Sequence, residues 1–375
     1  MIKISFRVGF LLVCLLGASC TKIVEPKVPE IIQSEPKLTL STDSRNLAFT
    51  NLLEDSVIIA FGRSPDNLFI SEDNGMNWEK NATIPSNYHI GNVARTSHDK
   101  DLILLSYDEG NNNYSSLQNT GLLLSKDNGK SWEKLTHPHN PDELSDRFRW
   151  FANVAFDVED TNILYALSST SVFYKSTDQG KTWSYVDLNL ESASLVSMFL
   201  DPSNSNIIHI TAAGTVGKGG GFVTYDKGLT WIAWGKIDPP ERILGINKDY
   251  LSLKKKDKDG VLYGRRFFQS LANEQVIYSD DLNDSWEVLY VDESPYWLTS
   301  LDTFEPSVIV LLMTSTNTYE HTIRYSINYG VSWTDFKLPF RYPQSLEVLT
   351  FDSEKLEILV SSKNAIWRVP IYYGP

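Results

Sequence analysis

Short apolar runs, each followed by polar turn residues, recur along the chain from residue 37 to its end. Runs such as 68–70 (LFI), 122–124 (LLL), 172–174 (VFY) and 276–278 (VIY) are short and rich in branched or aromatic side chains. Runs of this kind, bounded by Gly, Asn, Asp and Ser, favour strands joined by tight turns. The pattern therefore predicts an all-β fold.

One motif organises these runs, and its form is Ser/Thr-x-Asp-x-Gly-x-Ser/Thr-Trp. With small departures it occupies residues 71–78, 125–132, 176–183, 224–231, 279–286 and 326–333. Its acidic or amide residue and its tryptophan are Asp73 and Trp78, Asp127 and Trp132, Asp178 and Trp183, Asp226 and Trp231, Asp281 and Trp286, and Asn328 and Trp333. In the two degraded copies, Asn283 keeps a residue tolerant of positive φ and Asn328 keeps an acceptor oxygen. The six segments are therefore repeats of one structural unit.

Each copy has the composition of a hairpin tip, in which the Asp accepts hydrogen bonds from turn N–H groups and the Gly adopts a positive φ. The Trp that follows is expected to fold back over the hairpin. Complete burial of this side chain would remove about 150–250 Å² from water, so Trp→Ala is expected to cost about 3–5 kcal/mol. Because most of the 10 Trp hold this structural role, we do not interpret them as a sugar-stacking stripe.

The motif resembles the Asp-box, or BNR, repeat of sialidases, sortilin-type receptors and photosystem II assembly factors, and the resemblance covers residues 71–336. It implies a β-propeller in which each box joins the third and fourth strands of a blade, at the rim and away from the ligand face. It implies little about function, because one fold hosts many functions. Sialidase activity is not expected, since the chain has no Arg-Ile-Pro motif and no arginine triad can be assigned.

The spacing of the boxes predicts the number of blades. The box tryptophans recur about every 50 residues, which is roughly one four-stranded blade per repeat. Three strand-like runs, 346–351, 356–361 and 365–371, follow the last box. We predict one seven-bladed β-propeller over residues 37–375, whose last blade is completed by the run 37–41 (KLTLS), because an unclosed ring would leave open strand edges. A six-bladed ring with a C-terminal appendage is the alternative.

The first 20 residues have the features of an export signal. Lys3 and Arg7 precede an uncharged apolar run over 8–16, which is shorter than the roughly 20 residues that a membrane-spanning helix needs. The small residues before Cys20 resemble the bacterial lipoprotein signal, in which that cysteine is lipidated and becomes the mature N-terminus. We predict a signal peptide at 1–19, a lipidated Cys20 with a Pro-containing tether over 20–36, and anchoring in the bacterial outer membrane, on either its periplasmic or its surface face. An ordinary secretory signal is the alternative.

The number of cysteines and the net charge exclude some classes of partner and covalent link. The chain has 2 Cys, Cys14 and Cys20, so processing would leave the folded part without a free thiol. The formal net charge is −13, and loss of Lys3 and Arg7 would make it −15. An acidic chain argues against nucleic-acid binding, which needs clustered Lys and Arg. We expect membrane contact through the Cys20 lipid only, and nothing in the sequence indicates a cofactor.

In a propeller, the loops that lead into the innermost strands gather on the face opposite the boxes. Here these loops lie near residues 81–92, 136–150, 187–195, 235–249, 290–298 and 338–345. The candidate ligand-binding residues in them are Tyr88, His89, Arg147, Arg149, Trp150, Arg242, Tyr296 and Trp297, with Arg341 and Tyr342 at an equivalent point of another blade. Guanidinium forks beside aromatic faces suit an anionic sugar or a carboxylate. The alternative is that Trp150 and Trp297 pack between blades while the arginines pair with nearby acids.

Two functional hypotheses follow. The first is a non-catalytic propeller that binds a glycan or an envelope protein. The second is a carbohydrate-active enzyme acting on an anionic polysaccharide: a lyase that uses His89 or Tyr88 as base and Arg147 as the neutralising cation, or a hydrolase with two carboxylates roughly 5–10 Å apart. The acids available to a hydrolase on that face, Asp142, Glu143, Asp146, Glu241, Asp292 and Glu293, are too many to choose among.

Other chemistries find no support in the sequence. The chain contains neither Gly-x-Ser-x-Gly nor His-Glu-x-x-His. The glycine-rich run 214–221 lacks a Ser or Thr after its Lys, so it is not a phosphate-binding loop. His137-Pro-His139 lacks further ligands in the sequence, and we predict no metal site.

Overall fold

The computed structural model describes most of the chain from residue 31 onward. The described ranges are 31–32, 35–43, 45–51, 56–63, 68–109, 119–139, 150–170, 172–188, 193–201, 204–214, 220–234, 251–256, 262–267, 274–279, 287–291, 296–303, 307–315, 317–351 and 354–373. The predicted signal peptide, Cys20 and the tether as far as residue 30 lie outside them. Within these ranges we find no helix with the length and apolar character needed to cross a membrane.

The described regular structure consists of short β-strands. In chain order they are β1 (Ile31–Ile32), β2 (Lys37–Ser41), β3 (Arg45–Asn51), β4 (Ile58–Arg63), β5 (Leu68–Ser71), β6 (Glu79–Lys80), β7 (Tyr88–Arg95), β8 (Ile103–Glu109), β9 (Thr120–Ser125), β10 (Glu133–Lys134), β11 (Phe151–Phe156), β12 (Leu164–Ser168), β13 (Val172–Ser176), β14 (Ser184–Asp187) and β15 (Ala193–Leu200). They continue with β16 (Ile208–Gly214), β17 (Gly220–Thr224), β18 (Ile232–Trp234), β19 (Leu251–Lys256), β20 (Leu262–Phe267), β21 (Glu274–Ser279), β22 (Glu287–Val291), β23 (Tyr296–Thr303), β24 (Ile309–Ser315), β25 (His321–Ser326), β26 (Thr334–Lys337), β27 (Pro343–Phe351), β28 (Lys355–Ser362) and β29 (Ala365–Tyr373).

These strands group into seven antiparallel sheets among the described residues. Six sheets are runs of four consecutive strands, starting with β3–β6 as sheet 1 and ending with β23–β26 as sheet 6. Sheet 7 consists of β27, β28 and β29, and both N-terminal strands pair with β29 at its outer edge. The sequence prediction of an all-β propeller is confirmed.

The sheets surround one axis. Each innermost strand contacts the innermost strand of the next sheet, and β27 of sheet 7 contacts β3 of sheet 1. Among the side chains that the structure describes, the cores lie between neighbouring sheets, at the interfaces of sheets 1 and 2, 2 and 3, 3 and 4, 6 and 7, and 7 and 1. Between sheets 7 and 1, for example, Leu359 and Ile366 are fully buried against Leu47 and Ile58. These contacts join the two ends of the sequence.

The Asp boxes form the hairpins between the third and fourth strands of their sheets, as the resemblance implied. In the first box, the Ser71 hydroxyl donates to Asp73 Oδ1 at 2.9 Å and accepts from the N–H of Gly75 at 2.8 Å. Asp73 Oδ1 also accepts from the N–H of Asn77 at 2.8 Å. This bond is the main reason that the pKa of Asp73 falls to about 2. The same bonds recur in the boxes at 125–132, 176–183, 224–231 and 326–333, while residues 280–286, with Asp281 and Trp286, lie outside the described chain.

The boxes of sheets 1 to 4 also contact the preceding sheet, which the sequence did not predict. A Cβ added at Gly180 would lie 2.5 Å from Leu135 of sheet 2, and one added at Gly228 would lie 2.3 Å from Phe173 of sheet 3. The Trp78 indole N–H donates to Thr39 Oγ1 of β2 at 3.2 Å, so the first box is tied to the N-terminal strand in sheet 7. The box is therefore a joint between sheets as well as a turn.

The tryptophans of the five described boxes are not completely buried. Trp78, Trp132, Trp183, Trp231 and Trp333 are all only partly buried. Trp78, Trp132, Trp183 and Trp231 each pack against the core between their own sheet and the preceding one and stay partly accessible to water. A Trp→Ala change in a box should therefore cost less than the 3–5 kcal/mol of a fully buried indole.

Candidate functional site

The innermost strands share a β-bulge near the point where they begin. In every sheet the pairing between the first and second strands shifts register there, for example between Ile90 and Asn92 of β7 and between Phe151 and Asn153 of β11. In sheets 2 and 3, the first paired residue after the bulge accepts a hydrogen bond from the next innermost strand. Asn92 Oδ1 accepts from the N–H of Val154 at 3.1 Å, and Asn153 Oδ1 from that of Met198 at 3.3 Å. The bulge thus sets a common level around the axis.

This common level shows which candidate residues are equivalent. Counting back three residues from the first paired residue after the bulge gives the same position in each sheet. This position is His89 in sheet 2, Trp150 in sheet 3, Trp297 in sheet 6 and Tyr342 in sheet 7. We call these four residues the aromatic arc, and we call the face on which they lie the upper face. Trp150 is 40% exposed and Tyr342 is 62% exposed. Two neighbouring aromatic pairs thus flank sheet 1, where the same position belongs to Arg45.

At sheet 2, Tyr88 and His89 are held by their partners across the strand pair. Tyr88 stacks on Tyr107 with ring centroids 4.2 Å apart, and its hydroxyl donates to Glu109 at 3.2 Å. Burial is the main cause that raises the pKa of Tyr88 to about 12, and the neighbouring Tyr107 and Glu109 raise it further. His89 Nδ1 lies 3.1 Å from Asp108 Oδ1, and its side chain is 19% exposed. Tyr88 is therefore fixed as a neutral ring, and His89 is oriented by a carboxylate.

At sheet 3, the loop before Trp150 packs through its histidines. His137 Nε2 lies 3.3 Å from Thr120 Oγ1, and His137 Nδ1 accepts from the N–H of His139 at 3.1 Å. His139 Nδ1 lies 2.9 Å from the Tyr174 hydroxyl. Burial lowers the pKa of His137 to about 4. Both imidazoles face into the protein, and the described part of the chain contains no group of three or more candidate metal ligands.

At sheet 7, the backbone of Tyr342 is positioned by His321, which was not among the candidate residues predicted from the sequence. His321 Nε2 accepts from the N–H of Tyr342 at 3.1 Å, so its proton is on Nδ1, which donates to Thr314 Oγ1 at 2.9 Å. Burial is the main cause that lowers the pKa of His321, and Arg341 adds to it. Tyr342 itself has a φ of +59°, which is uncommon for a residue other than Gly. No pattern in the sequence linked His321 with Tyr342, because they are joined only through this contact.

The remaining predicted site residues divide into two groups. Arg147, Arg149 and Arg242 lie outside the described residues. Tyr296 and Trp297 begin β23, where they pair with Ser315 and Thr314. The described candidates thus occupy equivalent positions on one face but belong to two separate pairs of neighbouring sheets.

Known proteins support the assignment of the fold. The BNR/Asp-box repeat family matches residues 174–185, which contain the third box. The chain is a β-propeller that carries BNR/Asp-box repeats. No curated protein matches this propeller in sequence.

Solved structures match the propeller over most of its length. A GH74 xyloglucanase from Xanthomonas campestris matches with a TM-score of 0.64 and 13% identity, covering 90% of this chain and 53% of that one. The Niastella koreensis GH74 enzyme matches with a TM-score of 0.67 and 14% identity, covering 90% and 53%. YCF48 bound to D1 peptide matches with a TM-score of 0.59 and 16% identity, covering 94% and 100%. The propeller spans about half the length of the two GH74 proteins, and identities this low show the fold alone.

Proposed function

We propose that this protein is an envelope-anchored lipoprotein whose seven-bladed propeller binds a glycan or a protein partner on its upper face without catalysing a reaction. The observation that carries the binding role is the aromatic arc. Aromatic residues hold one backbone position in four sheets at a common level, and the rings of Trp150 and Tyr342 are exposed there. Exposed rings of this kind stack on sugar rings or receive peptide side chains.

The two kinds of solved structure are consistent with a role of this type. One is a xyloglucanase and the other was solved with a bound peptide, so propellers of this shape include both glycan-acting and peptide-binding proteins. The anchoring part of the proposal rests on residues 1–20, with their positive start, short apolar run and Cys20 after small residues. We assign the protein to the outer membrane on this basis.

Binding is tested with the full chain on an array of glycans and envelope-derived peptides. Trp150→Ala and Trp297→Ala should each weaken binding about tenfold, which corresponds to about 1.4 kcal/mol for one lost stacking contact. The Trp150→Ala variant should melt like the parent, because Trp150 is 40% exposed. Trp132→Phe, which alters a box on the opposite face, is the control. Equal loss in the control, or unchanged affinity in both upper-face variants, would contradict the proposal.

A catalytic role is the second candidate, and the pairing of His89 with Asp108 favours it. A carboxylate 3.1 Å from Nδ1 holds the proton there and leaves Nε2 as the basic nitrogen of the ring. Tyr88 does not suit the role of base, since its pKa is raised to about 12. A lyase would release an unsaturated product that absorbs in the ultraviolet, and His89→Gln should abolish its formation. If no anionic polysaccharide yields such a product with the parent protein, this candidate fails.

A further inference from the structure

The path of the N-terminal strands shows where the first 30 residues leave the ring. In sheet 7, β29 runs from the upper face, where Ala365 pairs with Ser41, to the face that carries the boxes. At that end Ile31 pairs with Tyr373 and Ile32 with Tyr372. The chain before Ile31 therefore departs from the box face, at the outer edge of sheet 7. This segment contains the apolar run 8–16 and Cys20.

The boxes beside this point expose apolar side chains at their tips. The box residue between the Gly and the second Ser/Thr position is Met76 in sheet 1, 55% exposed, and Val331 in sheet 6, 77% exposed. Tyr329 at the tip of the same sheet 6 box is 61% exposed. We call these three residues the tip patch. At the equivalent position, sheets 2 and 3 carry the exposed lysines Lys130 and Lys181, and sheet 4, far from the N-terminal strands, carries Leu229, which is 70% exposed.

We propose that the tip patch rests on the lipid surface to which the N-terminus is attached. The proposal uses the anchoring through Cys20 that is part of the proposed function. The sequence predicted membrane contact through the lipid alone, and the placement of the tips adds a contact made by the folded protein. Sheet 7 lies between sheets 1 and 6, so the tip patch lies on both sides of the tether.

The short tether and the high local concentration that it imposes favour contact between the tip patch and the bilayer. The 10 residues between Cys20 and Ile31 separate the two by 11 Cα–Cα steps, which span at most about 40 Å when fully extended. A flexible chain of that length spends most of its time much shorter, so the box face is held at a high local concentration next to the bilayer. Apolar side chains that cost free energy in water are favoured in the interfacial layer, and tyrosine is suited to it.

The charges of the box face indicate which lipid it accepts. Asp73 stays ionised to about pH 2 because its carboxylate accepts bonds from the hairpin, and the pKa values of Asp178 and Asp226 are lowered in the same way. These carboxylates lie one turn behind the tips, and although Lys130 and Lys181 hold two of the tips, the formal net charge of the chain is −13, which disfavours anionic headgroups. The surface that fits is therefore a zwitterionic lipid. This orientation directs the aromatic arc away from the membrane.

The test uses single cysteines in the full chain, isolated from membranes so that Cys14 is removed and Cys20 is acylated. Val331→Cys reports on the tip patch, and Tyr342→Cys, at a site of similar exposure on the upper face, is the matched control. Each is labelled with a polarity-sensitive fluorophore and reconstituted in phosphatidylcholine vesicles with or without a lipid-borne quencher. We expect a blue-shifted, quenched signal from position 331 and an unshifted, unquenched signal from position 342.

Three other outcomes would overturn the inference, and they differ in what else they contradict. A membrane-bound protein in which position 331 gives no shift contradicts the docking alone and leaves the anchoring intact. A shift that requires high protein concentration and no vesicles assigns the patch to self-association. A chain without an acyl group that stays in the aqueous phase contradicts both the anchoring and the docking. A Val331→Glu variant should lose the shift of a label at position 76, which checks that the labelled side chain does not create the contact.

Discussion

The joint between sheets predicts that Gly228 tolerates no side chain. Gly228 has a φ of +86°, and an alanine in this left-handed conformation costs about 1–2 kcal/mol. Its Cβ would lie 2.3 Å from the Phe173 ring. That ring cannot retreat, because it is buried between Tyr165, 5.6 Å away, and Trp231, 4.9 Å away. Overpacking of this kind adds about 1–3 kcal/mol, so Gly228→Ala should lower the free energy of unfolding by about 2–5 kcal/mol.

Gly129→Ala separates the two causes. Gly129 has a φ of +82°, but the atoms nearest an added Cβ are side-chain ends, Asn81 Nδ2 at 3.0 Å and Ile70 Cδ1 at 3.1 Å, which can shift. It should therefore show mainly the backbone cost of about 1–2 kcal/mol. Urea unfolding followed by tryptophan fluorescence measures both variants. If Gly228→Ala is no less stable than Gly129→Ala, the boxes do not act as rigid joints between sheets.

Three further changes test individual contacts. Thr39→Val removes the acceptor of the Trp78 indole across the ring closure and should cost about 1 kcal/mol; an unchanged melting temperature would mean that this bond adds nothing to closure. The pKa of His137 is lowered to about 4 in the folded protein. As the pH falls, this imidazole therefore takes up a proton in the unfolded chain before it does so in the folded protein. Stability should therefore rise between pH 4 and the ordinary value of about 6.5, by up to about 3 kcal/mol, and then level off; His137→Gln should flatten that rise in urea unfolding. Tyr329 has a φ of +59°, so Tyr329→Asn should raise the free energy of unfolding by about 0.5–1 kcal/mol, whereas a loss would show that the exposed ring packs.

The fold could be predicted because the residues of the repeat are those that a local hairpin conformation requires. Gly, Asp and Ser at fixed offsets describe a hairpin whose bonds are all within eight residues, as those of Ser71, Asp73 and Gly75 show. The contact with the preceding sheet could not be predicted from the same motif residues. The contact between Gly180 and Leu135 connects residues that are distant in sequence, and the pattern does not say which neighbour meets the glycine.

The candidate site was harder to predict because its geometry depends on register. Aromatic and basic residues near positions 88–89, 150 and 296–297 were selected from the sequence, but the bulge that aligns them leaves no composition signature. One residue more or less in the pairing would turn His89 or Trp150 to the other face of its sheet. His321 orients the backbone of Tyr342 from a neighbouring sheet, and only the folded chain brings those two residues together.

The two faces of the ring differ in how freely their residues vary among the repeats, and this difference has a physical cause. At the boxes, the hydroxyl, the carboxylate and the glycine are each required by a bond or by a close approach to the next sheet, so they recur almost unchanged. The position of the aromatic arc precedes the bulge and takes part in neither the turn nor the joint. In sheets 1 to 7 it is Arg45, His89, Trp150, Ser194, Ser252, Trp297 and Tyr342. The fold fixes the backbone at this position, but the side chain can differ from sheet to sheet. Such a position is suited to binding a ligand that lacks the symmetry of the ring. Because the large side chains occupy sheets 6, 7, 1, 2 and 3 and the two serines occupy sheets 4 and 5, a ligand bound at the upper face should lie off the axis, over sheet 1.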